Sequence, residues 1–538
     1  MYAPAGFATG EEANTATPRR RGATRPNTAW IVRSRERVHR WVQPIWVDRR
    51  RAVGAAVAVA ALWGGIAGWW TPRGPLTSSE AIWSIAVSLL VGVAAGLAAQ
   101  SRGSMVIAPI TFAAVFELVR LDTTGPTVDG FTVSMYGAMA FVTGRGLHAL
   151  LALLPMVLGA ALGAGAARSI EPVDITTSGR VGRIARRGVA VVTAAGLVLL
   201  TVGLARPERT DPIVDAAGNR VAGSIAELTT VEINGHDLGL MIRGHSVDDP
   251  VLLFLAGGPG GSERGAMRRH LSELEEHFVV VTWDQRGTGS SYDELDPVDT
   301  ITLDGSVDDT LAVTDHLRDR FGQDRIYLMG QSWGTTLGVL AVQQRPEWYR
   351  AFIGTGQMVS QRATDRIFYE DTLEWARRTG DDGLVDELES IGSPPYDTIF
   401  PYEKALAYEH DIYPYDHSPN SEGEGGFSEN LLVEEYALID QVHALGAFMD
   451  VFAVLYPQLQ DIDFRDTATE FDVPMFFAQG AHEAGGRAEP FMEWYQMIDA
   501  PEKELAIFET SGHRPLWEQP DEFVDFMVDT VLAATPES

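Results

Sequence analysis

Residues Arg325–Gln344 read RIYLMGQSWGTTLGVLAVQQ, and this stretch decides the fold. The apolar run Arg325–Met329 has strand character and stops at Gly330, and helical spacing resumes over Thr335–Gln344. Between them stands Gly330-Gln331-Ser332-Trp333-Gly334, a G-x-S-x-G pattern in the strand–turn–helix context that the motif requires. Its glycines permit a tight turn that lifts Ser332 above the end of the strand. They also aim the next backbone N–H, that of Trp333, at a reacting carbonyl oxygen. The plainer alternative is a glycine-rich turn without chemistry, so the rest of the chain has to decide.

Working outward, strands and helices alternate. Upstream, Thr229–Ile233 and Leu238–Arg243 flank Asn234-Gly235, a hairpin signal. Pro250–Leu255 and Val279–Trp283 are continuous apolar runs, while Glu263–Phe278 and Val307–Phe321 have helical spacing. Downstream, Ala351–Gly354, Val473–Ala478 and Leu505–Phe508 read as strands, and Pro520–Leu532 as a closing helix. The alternation predicts an α/β fold with a largely parallel sheet, helices on both faces and reactive groups at the carboxyl ends of strands.

A serine hydroxyl is a poor nucleophile without a base. In a fold of this order the acid and the histidine follow the serine along the chain. His513, in Ser511-Gly512-His513, comes after the last strand. Glu483, in Gly480-Ala481-His482-Glu483, comes after the strand before it, whereas Asp472 sits at the wrong end of that strand. The expected triad is Ser332, Glu483 and His513. The oxyanion needs a second donor. Leu255–Gly261 is a glycine loop after the third strand, and Gly258 is expected to pair with Trp333 there. A phosphate-binding loop is the rival reading, but no G-K-[ST] follows. This machinery calls for no metal and no cofactor, and the absence of cysteine removes a thiol nucleophile and thiolate metal sites.

Three segments resemble the proline iminopeptidase-like serine peptidases. Ala256–Gly260 is similar to that family's His-Gly-Gly-Pro-Gly signature, Trp283–Ser290 to its Asp-Gln-Arg-Gly-x-Gly-x-Ser segment, and Gly330–Gly334 to its Gly-x-Ser-Trp-Gly elbow. The resemblance covers roughly residues 225–538. It implies an α/β-hydrolase core with a helical cap, here at about 360–465, and cleavage of N-terminal residues from peptides. It also implies cap carboxylates that hold the substrate's free ammonium, with Glu434 and Glu435 as candidates against the plainer reading of a solvated acidic surface. Tyr436 and Phe448 read as cap core. Two departures stand out: Ala256 replaces the signature histidine, and Glu483 stands where aspartate is usual.

The first part of the chain is chemically different. Of the 538 residues, 1–204 hold 20 arginines and ten acidic residues, which leaves 22 basic and 63 acidic residues for 205–538. The C-terminal part is therefore strongly negative and repels nucleic acid. Residues 1–50 form a basic tail in which Trp30, Trp41 and Trp46 alternate with Arg33, Arg37 and Arg40. That pattern suits either an interfacial stretch or a tail without a core. Long apolar runs follow at Ala52–Trp70, Ala81–Gln100, Gly146–Ala167 and Gly188–Ala205, each long enough to cross ~30 Å of hydrocarbon, and Ser104–Leu121, interrupted late by Glu117 and Arg120, is a fifth candidate. Gly130–Gly144 is shorter and reads as interfacial or re-entrant.

The expected plan is a tail at 1–50, an all-α transmembrane region of about five helices at 51–205, a linker at 206–224 and the α/β-hydrolase domain at 225–538. The arginines of the tail and those at Arg168–Arg187 would share the cytoplasmic face, which places everything after Ala205 outside the cytoplasm. The expected partners are membrane lipid and a peptide or small ester or amide substrate. The leading reading is a membrane-anchored exopeptidase. An esterase or amidase on the same core is the alternative, and a non-catalytic membrane sensor or scaffold is the third.

Overall fold

The structure is a computed structural model of the chain and describes residues 39–171, 180–413, 429 and 431–536. The tail residues Trp30, Arg33 and Arg37 and the polar segment Ser418–Ser428 lie outside the described residues.

The C-terminal part is built on one eight-stranded sheet: β1 (Ile225–Ile233), β2 (His236–Gly244), β3 (Val251–Leu255), β4 (Val279–Trp283), β5 (Ile326–Gln331), β6 (Tyr349–Thr355), β7 (Met475–Gly480) and β8 (Lys503–Phe508). The spatial order is β1-β2-β4-β3-β5-β6-β7-β8. Strands β1 and β2 pair antiparallel around the Asn234-Gly235 turn, whose two residues both have positive φ as a two-residue hairpin requires. Strand β2 is antiparallel to β4, and the remaining pairs are parallel.

The side-chain period of two splits the strands between two cores. Leu253, Val281 and Leu328 join one, while Leu252, Phe254, Val280 and Met329 join the other. Every residue of β3, β4, β5 and β7 is buried, which explains why those strands read as unbroken apolar runs.

The N-terminal part is a helical bundle of α1 (Arg49–Trp70), α2 (Ser78–Ala99), α3 (Ser104–Val119), α4 (Met135–Ile170) and α5 (Arg180–Leu204). Helices α2 and α4 touch through paired glycines. A Cβ on Gly92 or Gly96 would strike the carbonyl oxygen of Met156 or Ala160, and one on Gly159 or Gly163 that of Leu89 or Val93. This small-residue interlock lets the two helix backbones pack in direct contact. Gly64 and Gly68 repeat the device between α1 and α3, and Trp63 Nε1 donates to Ser88 Oγ at 2.9 Å between α1 and α2.

One sequence expectation changes here. Gly130–Gly144 is not a separate re-entrant piece, because residues 135–144 are the first turns of the 36-residue helix α4. Arg145 interrupts the apolar run in the sequence, but its charge is paired with Glu117 of α3. Helix α4 widens into π-helical turns at Val142–Gly146 and Ala149–Leu153, just ahead of Pro155. A proline ring collides with the carbonyl four residues back, and widening the preceding turn relieves that.

Among the described residues, five helices are long and apolar enough to cross a membrane: α1, α2, α4, α5 and Leu438–Asp461. Helix α3, with 16 residues, is shorter. The segment Leu438–Asp461 belongs to the excursion between Thr355 and Met475, where the chain leaves the sheet to form α9, α10 and α11. In chain order, α6 is Arg264–His270, α7 Leu303–Phe321, α8 Trp333–Gln344, α9 Gln361–Thr379, α10 Asp382–Ile391, α11 Leu438–Leu455 and α12 Gly485–Met497.

Candidate functional site

Ser332 stands between β5 and α8 with φ 52° and ψ −118°, a left-handed conformation costly for any residue but glycine. Its neighbours leave no alternative. A Cβ on Gly330 would lie 2.5 Å from Gly334 O, and one on Gly334 would strike Leu255 O. The Ser332 N–H donates to Thr355 O at 3.0 Å, and its carbonyl accepts from Thr335 N at 2.8 Å, which fixes the elbow between β5, β6 and α8.

His513 follows β8. Its ring lies against Gly356, where a Cβ would stand 2.9 Å from Nδ1 and from Cε1. The serine backbone is bonded to residue 355 and the imidazole packs on residue 356, so both flank one two-residue segment at the end of β6. His513 Nδ1 is 2.7 Å from Glu483 Oε2. No hydrogen bond joins the Ser332 hydroxyl to the imidazole among the described residues.

Glu483 lies three residues past β7 and is buried. Its Oε1 accepts from Ala484 N and from Arg487 Nε, both at 2.8 Å. Burial pushes the carboxyl up, but Arg487 and His513 outweigh it and hold the group down at about 2. Arg487 also pairs with Glu409, which lies in the excursion between β6 and β7, and its guanidinium sits 4.9 Å over Phe368. Sequence reasoning missed Arg487. The signal available was its position four residues after Glu483, at the start of a helix. Glu518 was missed too. It accepts the Gly512 N–H just before His513, and burial pushes its carboxyl up to about 7.

The glycine loop follows β3. Gly258 has φ 124° and Gly260 φ 100°, and Gly261 N donates to Gly257 O at 3.0 Å. Gln285 bridges this loop to the elbow. Its Nε2 donates to Ala256 O at 3.1 Å, and its Oε1 accepts from the buried Trp333 indole at 2.9 Å. The Trp283–Ser290 segment is thus a brace. Asp284 accepts from Ser290 N at 3.0 Å, Ser290 Oγ at 2.8 Å and Tyr436 OH at 2.7 Å, and pairs with Arg264 at 3.0 Å.

Glu434 and Glu435 are each engaged with an arginine. Glu434 takes a two-pronged bond from Arg209, at 2.8 and 2.7 Å, and Glu435 lies 3.4 Å from Arg268 Nε. Tyr436 is core, bonded to Asp284, and Phe448 stacks on Phe452 with ring centroids 5.4 Å apart. Among the described residues no group of three or more His, Asp or Glu is arranged to hold a metal ion.

Residues 250–520 match the family described as alpha/beta hydrolase fold. The chain is 30% identical over 313 residues to the probable aminopeptidase YbaC of Bacillus subtilis, covering 56% of this chain and 95% of that protein. It is 21% identical over 304 residues to a proline iminopeptidase of Lactobacillus delbrueckii subsp. bulgaricus, covering 54% and 93%. A crystal structure of proline iminopeptidase from Mycobacterium smegmatis aligns with a TM-score of 0.41 at 20% identity, over 57% of this chain and 100% of that one. The chain belongs to the alpha/beta hydrolase fold family as a proline iminopeptidase-like hydrolase that carries an additional N-terminal helical region.

Proposed function

We propose that the protein is a membrane-embedded serine aminopeptidase that removes N-terminal residues from peptides through an acyl-enzyme. The observation that carries this reading is the strained Ser332 at the end of β5, with the His513–Glu483 pair across residues 355–356. His513 takes the Ser332 proton as the hydroxyl attacks the carbonyl carbon. Glu483, kept ionised by Arg487, fixes the imidazole tautomer and stabilises the imidazolium. The N–H groups of Gly258 and Trp333 receive the oxyanion, each such donor being worth ~3 kcal/mol. His513 then protonates the leaving amine, and water activated by the same imidazole releases the acyl group and restores Ser332.

Similarity to aminopeptidases supports the peptide substrate. An esterase or amidase on the same machinery is the second reading. It is favoured by the engagement of Glu434 with Arg209 through both oxygens and of Glu435 with Arg268 at 3.4 Å, pairs that an ammonium would have to compete with. We further propose that α1 to α5 lie in a lipid bilayer and that the catalytic part stands outside the cytoplasm.

Covalent labelling by a fluorophosphonate probe, lost in Ser332→Ala, is the expected result for the nucleophile. Failure of the intact protein to label would remove the serine mechanism. Aminoacyl-β-naphthylamides against p-nitrophenyl esters separate the two substrate readings, and turnover of esters alone removes the peptidase. A reporter fused after Ser538 that is active only outside the cytoplasm tests the topology, and activity of a cytoplasm-only reporter reverses it.

A further inference from the structure

Helix α11 presses on both glycine segments of the site. Its backbone closes on Gly260, where a Cβ would lie 2.8 Å from Phe448 Cα and 3.0 Å from Ala447 O. Val451 packs on Gly287, where a Cβ would lie 3.0 Å from Val451 Cγ2. Gly260 belongs to the loop that carries Gly258. Gly287 belongs to the segment that carries Gln285, the brace between Ala256 and Trp333. The position of α11 therefore bears on both proposed oxyanion donors.

Between these two contacts stands Asp450, only 1% exposed, and most of its bonds reach the N-terminal bundle. Oδ1 accepts the Thr127 N–H at 3.1 Å. Oδ2 accepts the Thr127 hydroxyl at 2.6 Å and the Tyr292 hydroxyl at 3.1 Å, and lies 3.5 Å from Arg73 Nη1. The buried Arg73 follows α1. It donates from Nε to Asp296 at 2.9 Å and from Nη2 to Thr124 O at 2.6 Å. A second carboxylate of the excursion, the buried Glu403, accepts from Tyr136 N at 2.8 Å and Met135 N at 3.3 Å, at the start of α4.

Burying ionised groups is costly unless every lone pair and proton is placed, and such pairs fix geometry more than they add stability. A simple tether needs one helix and no such knot.

We propose that Asp450 and Arg73 are positioning residues through which the N-terminal bundle holds α11 against the glycine loop, so that the bundle is part of the catalytic unit rather than a detachable anchor. This rests on the reading of Ser332 as nucleophile and of Gly258 and Trp333 as oxyanion donors. Releasing Asp450 lets α11 shift, and Gly260 then loses the backbone that backs it. Oxyanion donors act on the transition state more than on bound substrate, so the loss falls on kcat rather than on KM.

The test uses the full chain in detergent micelles, with fluorophosphonate labelling rate, kcat, KM and thermal melting measured together. Wild-type labelling that disappears in Ser332→Ala secures the nucleophile. Its absence overturns that reading, and this one with it. Given labelling, Asp450→Asn and Arg73→Met are expected to lower kcat and the labelling rate about ten-fold or more, with KM within about three-fold, in protein still folded at the assay temperature. Thr127→Val, which loses one hydroxyl bond, should show the same kcat-led loss in smaller measure, and decides the matter if the charged-pair variants do not fold.

Rescue gives a readout that a folding defect does not. The chain has no cysteine, and a Cβ on Gly446 of α11 would lie 3.7 Å from Thr143 Oγ1 of α4. Thr143→Cys with Gly446→Cys therefore offers a bridge across the same junction. Oxidation is expected to restore kcat to Asp450→Asn, and reduction to withdraw it. Wild-type kcat within two-fold in folded Asp450→Asn and Arg73→Met, or a change confined to KM, would overturn the proposal.

Discussion

The bundle and the carboxyl edge of the sheet both depend on glycine, for different reasons. In the bundle, Gly92, Gly96, Gly159 and Gly163 sit where two helix backbones touch, and what matters is the missing side chain. At the sheet edge, Gly258 and Gly260 have positive φ, and Ser332, a residue that is not glycine, is held at φ 52°. The bundle uses small residues to gain packing. The edge gives up conformational energy to hold Ser332 in a strained turn. Substitutions at these bundle glycines should therefore move stability, and substitutions of Ser332 should move rate with stability unchanged or improved.

The sharpest test of that contrast is Ser332. Ser332→Ala is expected to lower kcat about ten-thousand-fold or more without lowering the melting temperature. Ser332→Gly should lose the same activity while gaining about 1 kcal/mol, because glycine adopts this backbone without strain. Melting and probe labelling check both. A Ser332→Gly protein less stable than wild type would break the comparison.

Glu483 comes next. Glu483→Gln is expected to lose about a thousand-fold or more in kcat at neutral pH, because the amide no longer stabilises the imidazolium. The carboxyl is held at about 2, below its ordinary value near 4.5. The folded state therefore gains stability from it above pH ~4.5, and loses that gain as pH falls toward 2. Melting against pH should be flatter for Glu483→Gln than for wild type over that window. In Arg487→Met, burial is left with less opposition and the carboxyl rises toward its ordinary value, so the loss on acidification should be smaller and finish at higher pH.

On the bundle side, Gly96→Leu drives a side chain into the Ala160 carbonyl and is expected to cost about 3 kcal/mol, read as melting in detergent. Protein that remains folded should label at Ser332 normally, provided α11 keeps its seat.

The same contrast explains what the sequence disclosed. Strands β3, β4 and β5 were legible because they are buried on both faces, and the Asn234-Gly235 hairpin because its turn needs two positive φ values. Glu483 and His513 were legible because each follows a strand end in chain order, and a 2.7 Å bond joins them.

What was hidden is pairing across distance. Arg145 broke the apolar run of α4 on paper, yet its partner Glu117 lies 28 residues earlier. Asp450 and Thr127 are 323 residues apart, and neither carries a local sign of the other. Composition is also blind to what covers an apolar helix. Leu438–Asp461 has membrane length and hydropathy, but more than half of its apolar window is buried within the protein.

Glu434 and Glu435 mark the lower end of the scale. The resemblance implies cap carboxylates that hold a substrate ammonium, and these two lie in the part of the chain where it places the cap. The geometry turns Glu434 to Arg209, an exposed pair, and Glu435 to Arg268. Exposed pairs contribute little, so Glu434→Gln should leave melting and kcat unchanged and move KM for an aminoacyl amide by less than about two-fold. Glu435→Gln should behave alike, since Arg268 keeps Glu275 at 2.5 Å as a second partner. Ammonium recognition through either carboxylate would instead raise KM for substrates with a free N-terminus while sparing N-acylated ones. Comparing the two substrate types in both variants therefore shows whether the peptide's amino group is gripped here or elsewhere in the excursion between β6 and β7.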